Sequence, residues 1–251
     1  MNRYIKNVDR IEFSVTSACT GSCKHCSEGG NRRLPSFIKT DKAVEAVRSL
    51  CALYNISSVM TFGGEPLLHP EAVFAIHRAA TEAGVQKRQL ITNGCFTNNG
   101  DRLISVVREL KACGVNDLLL SADAFHQETL PLATVKSFAA AVMEAGIPMR
   151  ISPAWLVSRE DTNPYNLKTR AIVAELTAPG VTEGEGNVVF PNGNALLYLK
   201  EYFDGRPTVP NPYEEDPRDL HTVSIDACGD TLGGNIYSKS ILDLIREYDP
   251  L

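Results

Sequence analysis

Three cysteines that lie close together are the feature of this sequence most able to do chemistry. Cys19, Cys23 and Cys26 fall within eight residues, with the spacing C-x3-C-x2-C. Three thiolates on one loop can hold three corners of a cubane iron–sulfur cluster and leave one iron without a protein ligand. The alternative is a structural zinc site, but such sites need four ligands, usually in separated pairs. His25 could be the fourth, although its place between two cysteines would strain a tetrahedral site, so the spacing favours a cluster.

A glycine-rich turn carries the second group of candidate residues. Gly63 and Gly64 expose backbone N–H and C=O groups to a ligand that approaches closely. Glu65 can pair with a cationic group such as an ammonium, and Pro66 fixes the direction in which the chain leaves. A tight strand-to-helix turn would also explain these four residues. Their position one β/α unit after the cysteines makes the functional interpretation the stronger one.

Both motifs follow predicted strands. The first strand, Arg10–Thr16, ends just before the cysteines, and the second, over residues 58–62, ends at the glycines. Strands alternate with helical periods up to residue 190, which predicts parallel β/α units with right-handed crossovers. In such folds ligands bind at the carboxyl edge of the strands. Four further strands are predicted over residues 89–92, 117–121, 148–153 and 186–190.

The number of units and the polarity of the strands indicate the type of sheet. Six units are too few for a closed eight-stranded barrel, which takes about 250 residues. A doubly wound sheet is the competitor, but helices cover both of its faces, so its strands should be apolar. Polar residues instead line one face of the first strand at Glu12, Ser14 and Thr16, and one face of the fifth at Arg150 and Ser152. This pattern favours a partial barrel with an open polar lumen.

Composition excludes several classes of protein. The chain has 251 residues, 43% of them hydrophobic and 22% charged, with a net charge of -5. These values exclude whole-chain disorder and coiled coil, and the charge gives no support to general nucleic-acid binding. We find no apolar run of the roughly 18 residues that a membrane span needs, and no secretory signal. Seven cysteines, an odd number, then predict reduced thiols and a cytoplasmic location.

Residues 10–190 resemble the radical S-adenosylmethionine (radical SAM) superfamily, through the cysteine loop and the Gly-Gly-Glu-Pro motif together. The resemblance implies a partial (β/α)6 TIM-like barrel in which Cys19, Cys23 and Cys26 bind one 4Fe–4S cluster. It further implies that SAM chelates the unique iron through its amino and carboxylate groups. An external electron donor such as flavodoxin or ferredoxin is implied as a partner, and a membrane or a long nucleic acid is not.

The resemblance also assigns SAM contacts. His25 is expected beside the adenine, and Gly63, Gly64 and Glu65 are expected to receive the methionine amino group. Further contacts are expected from Asn93 at the end of strand three, from Ser121 and Asp123 at the end of strand four, and from Arg150 on strand five. Ordinary loop and lumen polarity would explain the last three residues equally well.

Three residues are candidates on the substrate side. Cys95 should lie near the catalytic edge and Cys228 near the open side of the barrel, and either thiol could return a hydrogen atom to a substrate radical. His126 could act there as an acid or base, or serve only in packing. Cys51 and Cys113 lie on apolar helix stripes and are expected in the core.

Residues 191–251 are predicted to form a small extension that covers the barrel of residues 1–190. Its segment 223–242 resembles a reduced SPASM or twitch extension, and a generic strand–turn–helix closure is an equal alternative. Cys228 alone cannot anchor a second cluster, so one cluster is predicted.

The resulting functional hypothesis is hydrogen abstraction from a small polar substrate after reductive cleavage of SAM. The first strand starts at about residue 10, so no leader-peptide module is expected before it, which favours a small polar substrate or a free-standing recognition partner. A peptide-modifying maturase is the alternative within the family, because an exposed sheet edge in the extension could add a peptide strand. A non-catalytic zinc or iron–sulfur binding module is the alternative from another class.

Overall fold

The computed structural model describes residues 2–29 and 34–250. Eleven strands form in chain order: β1 (Arg10–Thr16), β2 (Ser58–Gly63), β3 (Lys87–Thr92), β4 (Asp117–Ser121), β5 (Met149–Ser152), β6 (Ala154–Trp155), β7 (Thr182–Glu183), β8 (Asn187–Val188), β9 (Thr222–Ile225), β10 (Asp230–Thr231) and β11 (Gly234–Asn235). The helices are α1 (Thr40–Leu53), α2 (Pro70–Glu82), α3 (Gly100–Ala112), α4 (Leu132–Glu144), α5 (Pro164–Thr177), α6 (Gly193–Tyr198) and α7 (Ile241–Glu247).

The central sheet has seven strands in the order β7-β5-β4-β3-β2-β1-β9. Every neighbouring pair in it is parallel. Within this sheet, helices α1 to α5 lie in the connections between consecutive strands from β1 to β7, as expected for parallel strands joined by crossovers. The predicted α/β partial barrel is therefore confirmed, and its two edge strands are β7 and β9.

The two faces of the sheet differ in polarity, as the alternation along β1 predicts. Ile11 and Phe13 are fully buried on the helix side, whereas Glu12 and Ser14 on the lumen side are half-buried. Burial of the helix-side residues in a continuous apolar core is the main stabilising contribution.

A row of polar side chains, here called the polar belt, crosses the lumen side of the sheet. It consists of Arg10, Gln89, Asp117 and Arg150, from strands β1, β3, β4 and β5. Arg10 donates to the Gln89 Oε1 atom at 3.0 Å, and the Gln89 Nε2 atom donates to Asp117 at 2.8 Å. Arg150 completes the row through its Nη2 atom, which lies 2.9 Å from an Asp117 oxygen. The lumen is polar in this layer, but its polar groups are bonded to one another.

The sixth strand differs from the prediction over residues 186–190. Thr182–Glu183 pairs with β5 in the main sheet, whereas Asn187–Val188 pairs with β6 in a separate two-stranded sheet. Pro153 interrupts one partner because it has no N–H to donate. Gly186 interrupts the other with a φ of 72°, and a Cβ atom there would lie 2.1 Å from the Pro153 carbonyl oxygen. Pro153 and Gly186 face each other, and these two interruptions of regular strand structure divide the expected strand pair.

Among the contacts that residues after 190 make with the barrel, two involve β9 and α7. Strand β9 pairs in parallel with β1, so that Val223 is the register partner of Ile11. Helix α7 packs on α1 and buries Ile241, Leu244 and Ile245. The predicted domain boundary at residue 190 stays a prediction. No helix in the described ranges is long and apolar enough to cross a membrane.

Candidate active site

The cysteine loop and the glycine turn are joined by backbone hydrogen bonds at the carboxyl edge of the sheet. The Gly64 N–H donates to the Thr16 carbonyl and the Glu65 N–H to the Ala18 carbonyl, each at 2.7 Å. A Cβ atom on Gly64 would lie 2.1 Å from the Ala18 oxygen, so only glycine permits this approach. The structure thus brings the two motifs together, at the edge where the sequence placed both.

The three cysteines differ in exposure along their loop. Cys19 is exposed, Cys23 is buried and Cys26 is half-buried. Burial, together with the negative charges of Asp123 and of the other two thiolates, raises the pKa of Cys23 well above its ordinary value. Such a thiol gives up its proton only when a cation stabilises the thiolate. Three cysteines on one loop supply the sulfur ligands that an iron–sulfur cluster takes, so the residues fit that group.

Two donors lie near the sulfur of the first cysteine. The Gly21 N–H donates to the Cys19 Sγ atom at 3.3 Å, and the Asn93 Nδ2 atom lies 3.8 Å from the same sulfur. Hydrogen bonds to ligating sulfurs are one of the means by which proteins tune iron–sulfur clusters. Asn93 also lies 3.3 Å from the Thr20 hydroxyl, so it belongs to the surroundings of the cysteine loop.

Glu65 is fully buried and connects the end of β2 to the end of β3. Its Oε1 atom accepts from the Leu67 N–H at 3.0 Å and the Thr92 hydroxyl at 2.7 Å. Its Oε2 atom accepts from the Asn93 N–H at 2.8 Å. Burial raises the pKa of Glu65 to about 7, although these hydrogen bonds act in the other direction. A cationic ligand beside this carboxyl group would favour its ionised form.

Asp123 organises the turn after β4. One carboxylate oxygen accepts from the backbone N–H groups of Phe125 and His126 at 2.9 Å each. The other accepts from the His126 Nδ1–H at 2.8 Å and from the Ala154 N–H at 3.0 Å. The two nearby histidines and these bonds hold the pKa of Asp123 well below its ordinary value, despite its burial. In turn the Asp123 carboxylate raises the pKa of His126.

A pair of histidine rings lies beside the central cysteine. The rings of His25 and His126 have their centroids 4.8 Å apart, and His25 also lies 4.9 Å from the ring of Phe125. Cys23, His25 and His126 place potential ligand atoms within 4.8 Å of one another. Burial lowers the pKa of His25 to about 4, so its imidazole is neutral at physiological pH. Its Nδ1 atom is shielded from solvent and has no hydrogen-bond partner in the described part of the chain.

Comparison with known proteins identifies the family to which the chain belongs. The model of the radical SAM superfamily matches residues 13–146, which is more than half of the chain. The chain belongs to the radical SAM superfamily. Its cofactors are therefore a 4Fe–4S cluster and SAM, and it is a radical SAM enzyme.

Two curated relatives each match about half of the chain. GTP 3′,8-cyclase 1 of Pseudomonas aeruginosa is 31% identical over 119 residues, which are 47% of this chain and 34% of that protein. The AdoMet-dependent heme synthase of Methanosarcina barkeri is 31% identical over 120 residues, which are 47% of this chain and 32% of that protein. The chain thus matches about a third of the length of either relative.

Solved structures of radical SAM proteins share the fold over nearly the whole chain. SuiB of Streptococcus suis bound to S-adenosylmethionine superposes with a TM-score of 0.61 at 14% identity, over 98% of this chain and 66% of that one. The AdoMet-bound anSMEcpe superposes with a TM-score of 0.62 at 13% identity, over 96% of this chain and 80% of that one. At these identities the likeness shows the fold alone, and it supports the partial barrel.

Three of the predicted site residues contact groups outside the cysteine loop. Arg150 is bonded to Asp117 in the polar belt, two positions before Ser152 on β5. Cys95 is buried, with its thiol 3.9 Å from the Pro131 carbonyl, and burial raises its pKa to about 11. Cys228 is exposed, with its thiol 3.3 Å from the Ser36 hydroxyl. Their chemical roles, like those of the SAM contacts, stay predictions.

Several contacts to the radical SAM cysteine loop could not be predicted from the sequence. Thr129 accepts from the Ser22 N–H at 3.2 Å, and Glu128 forms a salt bridge with Lys24 at 3.1 Å. Asn194, from the segment after the barrel, donates to the Cys23 carbonyl at 3.0 Å. The only sequence signal for Asn194 was a polar Asn-Gly-Asn tripeptide, which is typical of an ordinary turn.

Proposed function

We propose that this radical SAM enzyme cleaves SAM reductively and abstracts a hydrogen atom from a small polar substrate in the lumen. The observation that carries the proposal is the backbone pairing of the cysteine loop with the Gly63–Gly64 turn. This pairing joins a set of cluster ligands to the proposed acceptors of the SAM amino group on one edge of the sheet. A substrate bound in the lumen would lie directly below that edge.

The proposed cofactor contacts follow the motifs. Cys19, Cys23 and Cys26 would hold one 4Fe–4S cluster. When reduced by an external donor such as flavodoxin or ferredoxin, the bound cluster supplies the electron that splits SAM into methionine and a 5′-deoxyadenosyl radical. The proposed SAM contacts are His25, Gly63, Gly64, Glu65, Asn93, Ser121, Asp123 and Arg150.

Asn93 supports a shared site for the cluster and the SAM amino group. Its backbone N–H donates to Glu65 at 2.8 Å, while its side-chain amide lies 3.8 Å from the Cys19 sulfur. One residue therefore connects the proposed ammonium acceptor to the first cluster ligand. A shift of Asn93 would move both groups, so its backbone fixes their relative position.

The lumen surface supports a substrate with both polar and apolar parts. Ser121 and Ser152 are register partners at the carboxyl ends of β4 and β5, and both are half-buried. Two residues earlier, Leu119 on β4 is the register partner of Ile91 on β3, and these apolar side chains are also only half-buried. A ligand could cover this surface. The GTP 3′,8-cyclases, by their name, act on GTP, which is a small polar molecule.

A peptide substrate is the second candidate, and one feature favours it. Strand β9 (Thr222–Ile225) is an edge of the sheet, so its outer side offers backbone groups to an added strand. The structural relative anSMEcpe has been solved with AdoMet and a Kp18Cys peptide. The two substrate classes bind at different places, the lumen surface and the β9 edge.

Release of 5′-deoxyadenosine tests the reaction. Anaerobically reconstituted protein, given SAM and dithionite, should release it, and Cys23→Ala should lose both iron and release. Cys51→Ala is the matched control, because Cys51 is a half-buried cysteine of α1 outside the loop. Tight binding of zinc by Cys23, His25 and His126, with no SAM cleavage by the wild type, would contradict the proposal.

Isotope transfer tests the substrate class. Deuterated nucleotides, amino sugars and short peptides would each be added, and deuterium in 5′-deoxyadenosine would be measured by mass spectrometry. We expect transfer from a small polar compound and weaker transfer after Leu119→Trp, which fills the lumen. Transfer from peptides alone, unaffected by Leu119→Trp, would favour the maturase.

A further inference from the structure

We infer that Asn194, a residue of the segment after the barrel, is a positioning residue that sets the geometry of the cluster-binding cysteine loop. The inference rests on the proposed function, because it concerns how the same three cysteines hold their cluster. Asn194 lies in the first turn of α6 and is 8% exposed. Its polar groups are directed to the backbone of the cysteine loop, 171 residues earlier in the sequence.

Two hydrogen bonds connect Asn194 to two proposed cluster ligands. The Asn194 Nδ2 atom donates to the Cys23 carbonyl at 3.0 Å, and its backbone N–H donates to the Cys26 carbonyl at 2.9 Å. Each carbonyl also accepts a longer bond from within the loop, from the Cys26 N–H at 3.3 Å and from the Gly29 N–H at 3.2 Å. Asn194 therefore ties the backbone of both cysteines to α6 and fixes the peptide units next to their side chains.

The fit around Asn194 requires glycine on both sides of the contact. Gly193 has a φ of 51°, and a Cβ atom on it would lie 2.2 Å from the Ser27 carbonyl oxygen. A Cβ atom on Gly29 would lie 2.2 Å from the Asn194 Cγ atom. Both distances are far inside van der Waals contact. The helix and the loop therefore approach as closely as their backbones permit.

Apolar packing keeps α6 against the loop. Ala195 and Leu199 are buried in a second apolar cluster that also contains Cys23 and Phe125. This cluster is separate from the main core between the sheet and its helices. Hydrogen bonds, close backbone approach and apolar contacts thus act on the same loop.

The consequence is a cysteine loop whose backbone is ordered before the cluster binds. Ordering a site in advance lowers the entropy lost on binding. Groups that orient metal ligands typically change metal affinity 10–100-fold when they are removed. Asn194 acts through the cysteines, so its removal should change the stability and the spectrum of the cluster.

The test compares three variants of the full chain. Asn194→Asp keeps the side-chain size but replaces the donating amide with an oxygen that faces the Cys23 carbonyl. Asn194→Ala removes the side-chain bond to the Cys23 carbonyl and keeps the backbone bond to the Cys26 carbonyl. Asn192→Ala is the matched control, because Asn192 is an exposed neighbour that makes no side-chain cap bond.

Iron release to a chelator and the electron paramagnetic resonance spectrum of the reduced protein are the readouts. We expect both Asn194 variants to release iron about 10-fold faster than the wild type, with shifted g-values, and the control to match the wild type. The thermal midpoint of each protein without iron would be measured alongside. An Asn194→Asp protein with wild-type release and g-values would overturn the inference. Iron loss fully accounted for by a lower folded fraction, with unshifted g-values, would overturn it too.

The two proposals fail in distinguishable ways. If the wild type assembles a cluster and cleaves SAM while the Asn194 variants match it, only the role of Asn194 is wrong. A wild type that takes up no iron contradicts the proposed function, and this inference with it.

Discussion

The carboxyl edge of the sheet and the polar belt below it both consist of polar groups, but they use those groups differently. In the polar belt, Arg10, Gln89, Asp117 and Arg150 bond to one another across four strands. At the carboxyl edge, His25 has a buried nitrogen without a partner in the described residues, and Glu65 has a pKa raised to about 7. The side chains of the belt are hydrogen-bonded to one another without a ligand, whereas the edge has polar groups that remain available to a ligand. Unsatisfied and perturbed groups, and not polarity, therefore distinguish the carboxyl edge from the belt.

The largest expected effect comes from separating the two motifs at the edge. Gly64→Ala places a Cβ atom 2.1 Å from the Ala18 carbonyl oxygen, so the glycine turn and the cysteine loop must move apart. Because displacements of about 1 Å can lower rates about 100-fold, we expect a loss of that size in 5′-deoxyadenosine release. Gly100→Ala is the control, since nothing lies within 4 Å of a Cβ atom there. Equal rates for the two variants would show that the approach of the motifs is unimportant.

The next effect is a pH dependence of stability caused by Glu65. Its pKa is raised from 4.5 to about 7, so burial penalises the ionised form. The folded protein therefore loses stability as the pH rises from about 4.5 to 7, by about 3 kcal/mol, and the loss is constant above that range. Urea unfolding of the protein without cofactors, at several pH values, measures it.

Glu65→Gln is the control for this effect, because its side chain has the same shape and does not titrate. The difference between the two unfolding free energies removes the contributions of the histidines, which are common to both proteins. A difference that does not change between pH 4.5 and 7 would mean that Glu65 titrates normally.

The smallest effect is expected in the polar belt. Asp117→Asn weakens the bond to the half-exposed Arg150 guanidinium, and partly exposed ion pairs contribute about 1 kcal/mol or less. We expect a loss of stability of that size, with unchanged iron content and SAM affinity. Isothermal titration with SAM checks the second part. A changed SAM affinity would show that the belt belongs to the cofactor site, as the predicted role of Arg150 requires.

The sequence alone determined the features that depend only on residues close to one another along the chain. Alternating polarity along Arg10–Thr16 fixed the two faces of β1, and the spacing of Cys19, Cys23 and Cys26 placed three thiols on one loop. The glycines at 63 and 64 indicated a close backbone approach, which the Ala18 carbonyl supplies. Such features follow from the period of a strand, the reach of a short loop and the absence of a Cβ atom, all of which are local properties.

Only the tertiary structure decided which distant groups meet. Register with β1 brought β9 into the main sheet, and Pro153 and Gly186 together divided the predicted sixth strand. Arg150 is bonded to Asp117, 33 residues away, and Asn194 to Cys23, 171 residues away. No local pattern encodes these pairs, because each forms where the packing of separate elements places a donor opposite an acceptor from a distant part of the chain. The sequence thus determines the chemistry available at this edge, and long-range packing determines how that chemistry is held.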